Sequence, residues 1–250
     1  MLKYSTLRGQ QGMSLVELMV AMVIGLLILA AAGTAYIVSS KSGRDTINST
    51  RLNIELRGAM DVMADEIRRA GAVGLLASAG VNNPFTVQTS ASRTDLQVST
   101  DGTCVEFTYD ANGNGIVDTA EYSGFRVRSN AIQMRNGGAG IVNNCSDVNG
   151  SWQSLTDVNT VTIQPYATGI PYFAVSYQCL NTLNNLSQNV SCNNFTSYTG
   201  IVAGTSSDLL ETRTVTVRVG GGLVQDAAMQ MKVLEQVLVR NHRVVVGVAP

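Results

Sequence analysis

The 250-residue chain reads as an α+β protein, with one long N-terminal helix packed on a head built from an antiparallel β-sheet. Three features predict this. Residues 18–38 run for 21 positions without a charge, and beyond Ser40 apolar residues recur every three or four places as Leu52, Leu56, Met60, Met63, Ile67 and Ala70, the spacing of one helical face. After Gly74 the period drops to two, and Asn-, Gly- and Ser-rich connections separate the segments, which is the pattern of antiparallel strands and their turns. An apolar helical stripe followed by a run of strands is buried most simply by laying the helix on the sheet.

In chain order, residues 1–12 form a polar leader carrying Lys3 and Arg8, residues 13–72 the helix, and residues 73–250 the head. About 20 apolar residues cross a bilayer as helix, so residues 18–38 are expected to span one. The positive leader should stay on the cytoplasmic side, with everything after Lys41 on the other. At about 1.5 Å per residue, a helix from Met13 to Ala70 is about 85 Å long. Gly33, Ser39, Ser40, Ser42 and Gly43 weaken its middle, leaving two helices broken at Gly43 as the alternative. Gly71 and Gly74 supply the stop. Strands are expected at 96–98, 104–109, 125–128, 158–163, 172–180 and 212–219, with turns at 136–140 and 143–150. A final hairpin, 233–239 and 244–248, is expected to fold around Asn241-His242. There is no internal repeat and no extended linker.

Composition narrows function. Net charge is −1, only 14% of residues are charged against about 25% in an average soluble domain, and no Lys or Arg occurs between Arg135 and Arg213. That stretch cannot clamp phosphates electrostatically, and the charge balance argues against nucleic acid as a partner. His242 stands alone in a valine-rich segment, and there is no nucleophile elbow, phosphate loop or Cys/His pair, so no enzyme is expected. His242 and Trp152 belong to no constellation. Tyr166, Tyr172, Phe173, Tyr177 and Tyr198 have the spacing of sheet packing.

Glu17 is the anomaly of the amino terminus. A carboxylate at the head of an apolar span costs about 2.5–3.5 kcal/mol even on gentle scales. Gly12-Met13-Ser14-Leu15-Val16-Glu17 followed by the apolar helix resembles the class III signal of type IV pilins and pseudopilins. The resemblance implies cleavage after Gly12 by a prepilin peptidase and N-methylation of Met13, although Phe is the usual residue there. It also gives Glu17 an assembly role, in which its carboxylate pairs with the new amino terminus of a neighbouring subunit and neutralises two charges in apolar surroundings. The rival is an ordinary secretory signal cut near Ala30-Ala31-Ala32 and Gly33. Such signals have apolar regions of about 7–15 residues without an acid, unlike this one.

The start SLVELMVAMVIGLL, the helix ending Asp65-Glu66-Ile67-Arg68-Arg69-Ala70-Gly71 and the strand-loop-strand near 104–128 are similar to minor type IV pilins of the PilW type, relatives of the J-type minor pseudopilins of type II secretion. Major pilins usually carry Pro at the position of Thr34, which favours a minor subunit. The resemblance implies an inner-membrane prepilin that becomes part of a periplasm-spanning and extracellular pilus (fimbrium) and helps initiate or cap it. Implied partners are the other major and minor pilins, the inner-membrane assembly platform and a tip adhesin. The alternatives are a minor pseudopilin of a type II secretion system and a helix-anchored calcium-dependent binding module or adhesin.

Residues 110–121 fit the calcium-loop pattern D-x-[DN]-x-[DN]-G-x5-E at every specified position. The side chains of Asp110, Asn112, Asn114, Asp118 and Glu121 and the backbone carbonyl of Ile116 would supply oxygens to Ca2+, with Gly115 allowing the sharp turn. The same residues also make a good long Asn-Gly turn. Cys104, Cys145, Cys179 and Cys192, at spacings of 41, 34 and 13, fit neither redox nor zinc motifs. Of the three possible connectivities, Cys104–Cys145 and Cys179–Cys192 is the expected one, the second closing a short loop through Asn181, Asn184, Asn185 and Asn189 in an oxidising compartment.

Overall fold

The computed structural model describes residues 12–74, 83–88, 93–141, 145–147, 150–181, 189–193, 197–199 and 207–248. The expected leader therefore lies almost wholly outside the described residues. One helix, α1, runs unbroken from Leu15 to Arg69. The chain has no proline before Pro84, so nothing removes a helical hydrogen bond across the weak middle, and the alternative of two helices does not occur. Ser14 caps the start, its Oγ accepting from the Glu17 amide at 3.2 Å. Arg68 and Arg69 close the last turn, where positive charge suits the helix dipole. Gly71 then takes a φ of +73° and gives its N–H to the carbonyl of Thr108 at 2.8 Å, ending the helix on a sheet strand.

The chain divides into two units, residues 1–49 and 50–250. In the first, residues 18–38 are uncovered helix. In the second, Leu52, Leu56, Ala59, Met60, Met63, Ala64, Ile67 and Ala70 are buried against the sheets, so the predicted stripe is the buried face. Enclosing a side chain such as Leu56 or Ile67 stabilises by about 1.5–3 kcal/mol.

The head holds two antiparallel sheets. The first has the order β1 (Gln97–Val98), β2 (Cys104–Thr108), β3 (Tyr122–Arg128), β4 (Ala131–Asn136) and β5 (Ser151–Ser154). Its β4 and β5 were not foreseen. The second is organised by β10 (Ser207–Leu223), a strand of 17 residues. One edge of β10 pairs with β7 (Phe173–Asn181) and, further along, β6 (Val161–Gln164). Its other edge pairs with β11 (Gln230–Leu238) and β12 (Arg243–Val248). The expected C-terminal hairpin is thus corrected. β11 lies against residues 214–222 of β10 and β12 against residues 207–211, so the chain continues along one edge instead of reversing at Asn241-His242. β10 offers an edge long enough for both, β11 pairing without interruption and β12 across one register shift between Ser207 and Leu209. Beyond β7 come β8 (Asn189–Asn193) and β9 (Ser197–Thr199).

The sheets abut where Phe173 donates to the Gly102 carbonyl and Ile163 to the Asn130 carbonyl, at 2.9 and 2.8 Å. Phe107, Phe125, Phe173, Val215, Val217 and Val219 join the helical stripe in one core. Gly221 lets α1 approach β10 closely: a Cβ there would lie 2.8 Å from both methyl carbons of Leu56.

Candidate functional site

Two segments carry the candidate chemistry, and each is held by local hydrogen bonding. At the amino terminus, Ser14-x-x-Glu17 forms the forward half of a capping box, which puts the Glu17 carboxylate in the first turn at the positive end of the helix dipole. After it the apolar side chains face outward without cover: Leu15 is 75% exposed, Leu27 66% and Leu29 69%. No residue of the most apolar stretch is buried, and α1 is long and apolar enough to cross a membrane. Thr34 bonds back to the Ala31 carbonyl at 2.9 Å, so the position where proline is usual in major pilins stays regular helix.

The second segment is the loop between β2 and β3. Asp110 Oδ2 accepts from the amides of Gly74 at 2.8 Å and Gly115 at 2.9 Å. Burial pushes this carboxyl up, but the amides of Gly74, Gly115, Gly113 and Asn114 outweigh it and hold Asp110 below the usual aspartate range. Glu121 is buried, its two oxygens accepting from Ala111 N and Asp118 N, both at 2.9 Å. Asn112 and Asn114 each point Nδ2 at Asp118 Oδ2, at 2.8 and 3.0 Å, and accept from Asn114 N and Ile116 N. Gly113 and Gly115 take positive φ. The Ile116 side chain is 65% exposed. The loop residues thus share one tight turn, but among the described residues no three acidic, thiol or imidazole side chains form a metal-binding group.

Cys104 and Cys145 are joined, as expected. Cys179 is also in a disulfide, while the side chain of Cys192, its expected partner, lies outside the described residues. Asn184 and Asn185 of the expected loop lie outside them as well. His242 is exposed. Trp152 lies under the Arg126 guanidinium, 4.3 Å from ring centroid to Cζ.

Sequence reading missed the buried charges. Arg135 pairs with Glu106 at 2.5 Å and Arg213 with Asp95, all four side chains 0–2% exposed. Arg135 also donates to the carbonyls of Gly137 and Gly140, and burial lowers the pKa of Arg213 to about 10, with a smaller push from Arg243. The only hint was a charge within an otherwise apolar strand, as in Val105-Glu106-Phe107.

Compared with known families, residues 7–33 match the model of the prokaryotic N-terminal methylation motif, and residues 45–239 match that of prepilin peptidase-dependent protein B. The chain belongs to the prepilin peptidase-dependent protein B family. The family match covers most of α1's buried half and most of the head, and the methylation motif covers Gly12, Met13, Glu17 and much of the apolar helix. The family is structural and non-enzymatic, and its members depend on prepilin peptidase. The signal and the apolar helix together mark an inner-membrane-anchored prepilin with a pilus or periplasmic location. No curated protein and no solved structure matches the chain.

Proposed function

We propose that the chain is a minor pilin of the PilW type that is cut between Gly12 and Met13, methylated at Met13, and packed by α1 into a type IV pilus that it helps initiate or cap. The carrying observation is the methylation motif over residues 7–33 continuing into a 55-residue helix whose apolar half has no cover. An uncovered apolar helix needs either lipid or other helices around it. A prepilin uses both in turn, first as a bilayer span over residues 18–38, then among neighbouring helices in the filament. In that setting Glu17 pairs with the methylated amino terminus of a neighbour. The partners are the other major and minor pilins and the inner-membrane assembly platform, with a tip adhesin beyond.

Mass spectrometry of the amino-terminal peptide, from protein purified out of its native envelope, tests this reading. The expected peptide begins at N-methylated Met13. A start at Gly33 would make the chain an ordinary secreted protein, and an intact Met1 would make it a helix-anchored module; either result overturns the proposal. Deleting the gene should then abolish surface pili and spare protein secretion. The opposite pattern would assign the chain to a type II secretion pseudopilus.

A further inference from the structure

The loop between β2 and β3 has an electrostatic problem that its own hydrogen bonds leave unsolved. Asp110, Asp118 and Glu121 lie within 12 residues, and none of them has a Lys, Arg or His partner among the described residues. Glu121 is only 2% exposed, so its charge has little access to water. Asp110 Oδ1 is sealed from solvent with no hydrogen-bond donor at all, while Oδ2 accepts from the amides of Gly74 and Gly115. A buried, unpaired carboxylate oxygen costs more than a hydrogen bond usually returns. It persists where something else supplies the positive charge.

We propose that residues 110–121 bind a calcium ion, with Asp110 Oδ1 as the anchoring ligand. Asp118, the side-chain oxygens of Asn112 and Asn114 and the Ile116 carbonyl would complete an all-oxygen shell of the kind a hard cation takes. Glu121 can join because each of its oxygens accepts a single amide and keeps lone pairs free. The two Asn Nδ2 groups that now meet Asp118 Oδ2 hold the place of the cation with neutral donors. Three carboxylates on a loop with no helices at its flanks suit the weaker extracellular class of site, with a Kd of about 10⁻⁴–10⁻³ M.

Occupancy has a structural consequence. The same Asp110 that anchors the ion receives the Gly74 amide and donates its own amide to the Ala72 carbonyl at 2.9 Å. Gly74 is packed so closely that a Cβ would lie 2.9 Å from Asp110 Oδ2. The ion therefore fixes the chain where it leaves α1, and calcium outside the cell would stiffen the seat of the helix.

Detergent-solubilised full-length chain provides the test. Raising calcium from an EGTA baseline to about ten times the expected Kd should lift Tm by about 3–5 °C, and the same concentration of magnesium should do much less. Terbium should show luminescence sensitised by Tyr109 and Tyr122, which flank the loop in sequence, and calcium should quench it by displacement. Asp118→Asn keeps the shape of the loop and removes one charge; measured from its own EGTA baseline, it should need about tenfold more calcium for the same shift. If Asp118→Asn fails to fold, Asn114→Ala, at an exposed position, should likewise need about tenfold more calcium relative to its own EGTA baseline. No calcium-dependent rise in the parent, an equal response to magnesium, or an unchanged calcium requirement in the folded variant would each overturn the site.

Discussion

Arg213 on β10 forms an ion pair with Asp95, just ahead of β1, and neither side chain has measurable exposure to solvent. The pair ties the second sheet to the segment that leads into the first. The Arg213 guanidinium also donates to the Asn241 carbonyl at 2.8 Å, and Asn241 in turn bonds the end of α1 through the Ala70 carbonyl at 3.2 Å. Helix end, both sheets and the connection between β11 and β12 thus meet at one buried charge.

Breaking that pair from one side leaves the other charge stranded. Asp95→Ala is expected to cost about 3–5 kcal/mol, and so is Arg213→Ala. The double variant should cost clearly less than the sum, because it strands nothing. Urea denaturation of the three variants measures this. A strictly additive double variant would show that the pair is not the coupled unit described.

The approach of α1 to the sheet depends on the bare backbone of Gly221. Gly221→Val is expected to destabilise by about 1–3 kcal/mol through overpacking against Leu56. Leu56→Ala alone leaves a cavity and should cost about 2–5 kcal/mol. Combined, the added and removed volumes offset each other, so the double variant should melt above Leu56→Ala alone. Thermal melts of the three variants decide the matter.

Glu17 separates helix capping from assembly. The cap at Ser14 uses the Glu17 amide and not its carboxylate, so Glu17→Ala should leave the helix start and processing intact. Incorporation into sheared filaments should fall by about tenfold or more, the ratio to which about 1.4 kcal/mol of lost pairing corresponds. A shear-fraction blot showing normal incorporation would remove the charge pairing from the reading.

Asp157 gives a pH dependence. Its carboxylate accepts from the Asn159 amide at 2.9 Å and the Thr160 hydroxyl at 3.0 Å, and these bonds hold it below the ordinary aspartate value of 3.8. A carboxyl depressed in the folded state adds stability above its unfolded value, and that stability is lost as pH falls through the folded one. Asp157→Asn should therefore be less stable than the parent at neutral pH, and the difference should shrink below pH 3.8. Urea midpoints across that range give the comparison.

What the sequence disclosed and what it hid follow from the reach of its patterns. The 3.6-residue spacing of Leu52 through Ala70 specified both the existence of α1 and the face it buries, because a stripe that long has one solution. β2 and β7 were readable from alternation. β5, with the sequence Ser-Trp-Gln-Ser, carries almost no apolar signal and is a strand because β4 lies beside it. Alternation in 233–239 and 244–248 identified strands without naming a partner, which is why a hairpin was expected where β10 takes both. Glu106, Arg135, Asp95 and Arg213 looked like surface charges, since nothing in a one-dimensional pattern says that a strand is covered on both faces. The amino-terminal signal was legible because several specified positions fall within six residues.

β10 also sets an order of events. The first sheet is complete once Ser154 has been made, and both cysteines of its disulfide are already present. β6 must instead wait for residues 220–223 and most of β7 for residues 209–217, and the apolar face of α1, made first of all, shares its core with Val215, Val217 and Val219 as well as with Phe107, Phe125 and Ile132 of the first sheet. A growing chain thus carries an open sheet edge and an incompletely covered helical stripe until nearly nine-tenths of it exists. Such surfaces aggregate readily. The later half of the head is therefore the part whose folding most needs a chaperone or a waiting partner subunit.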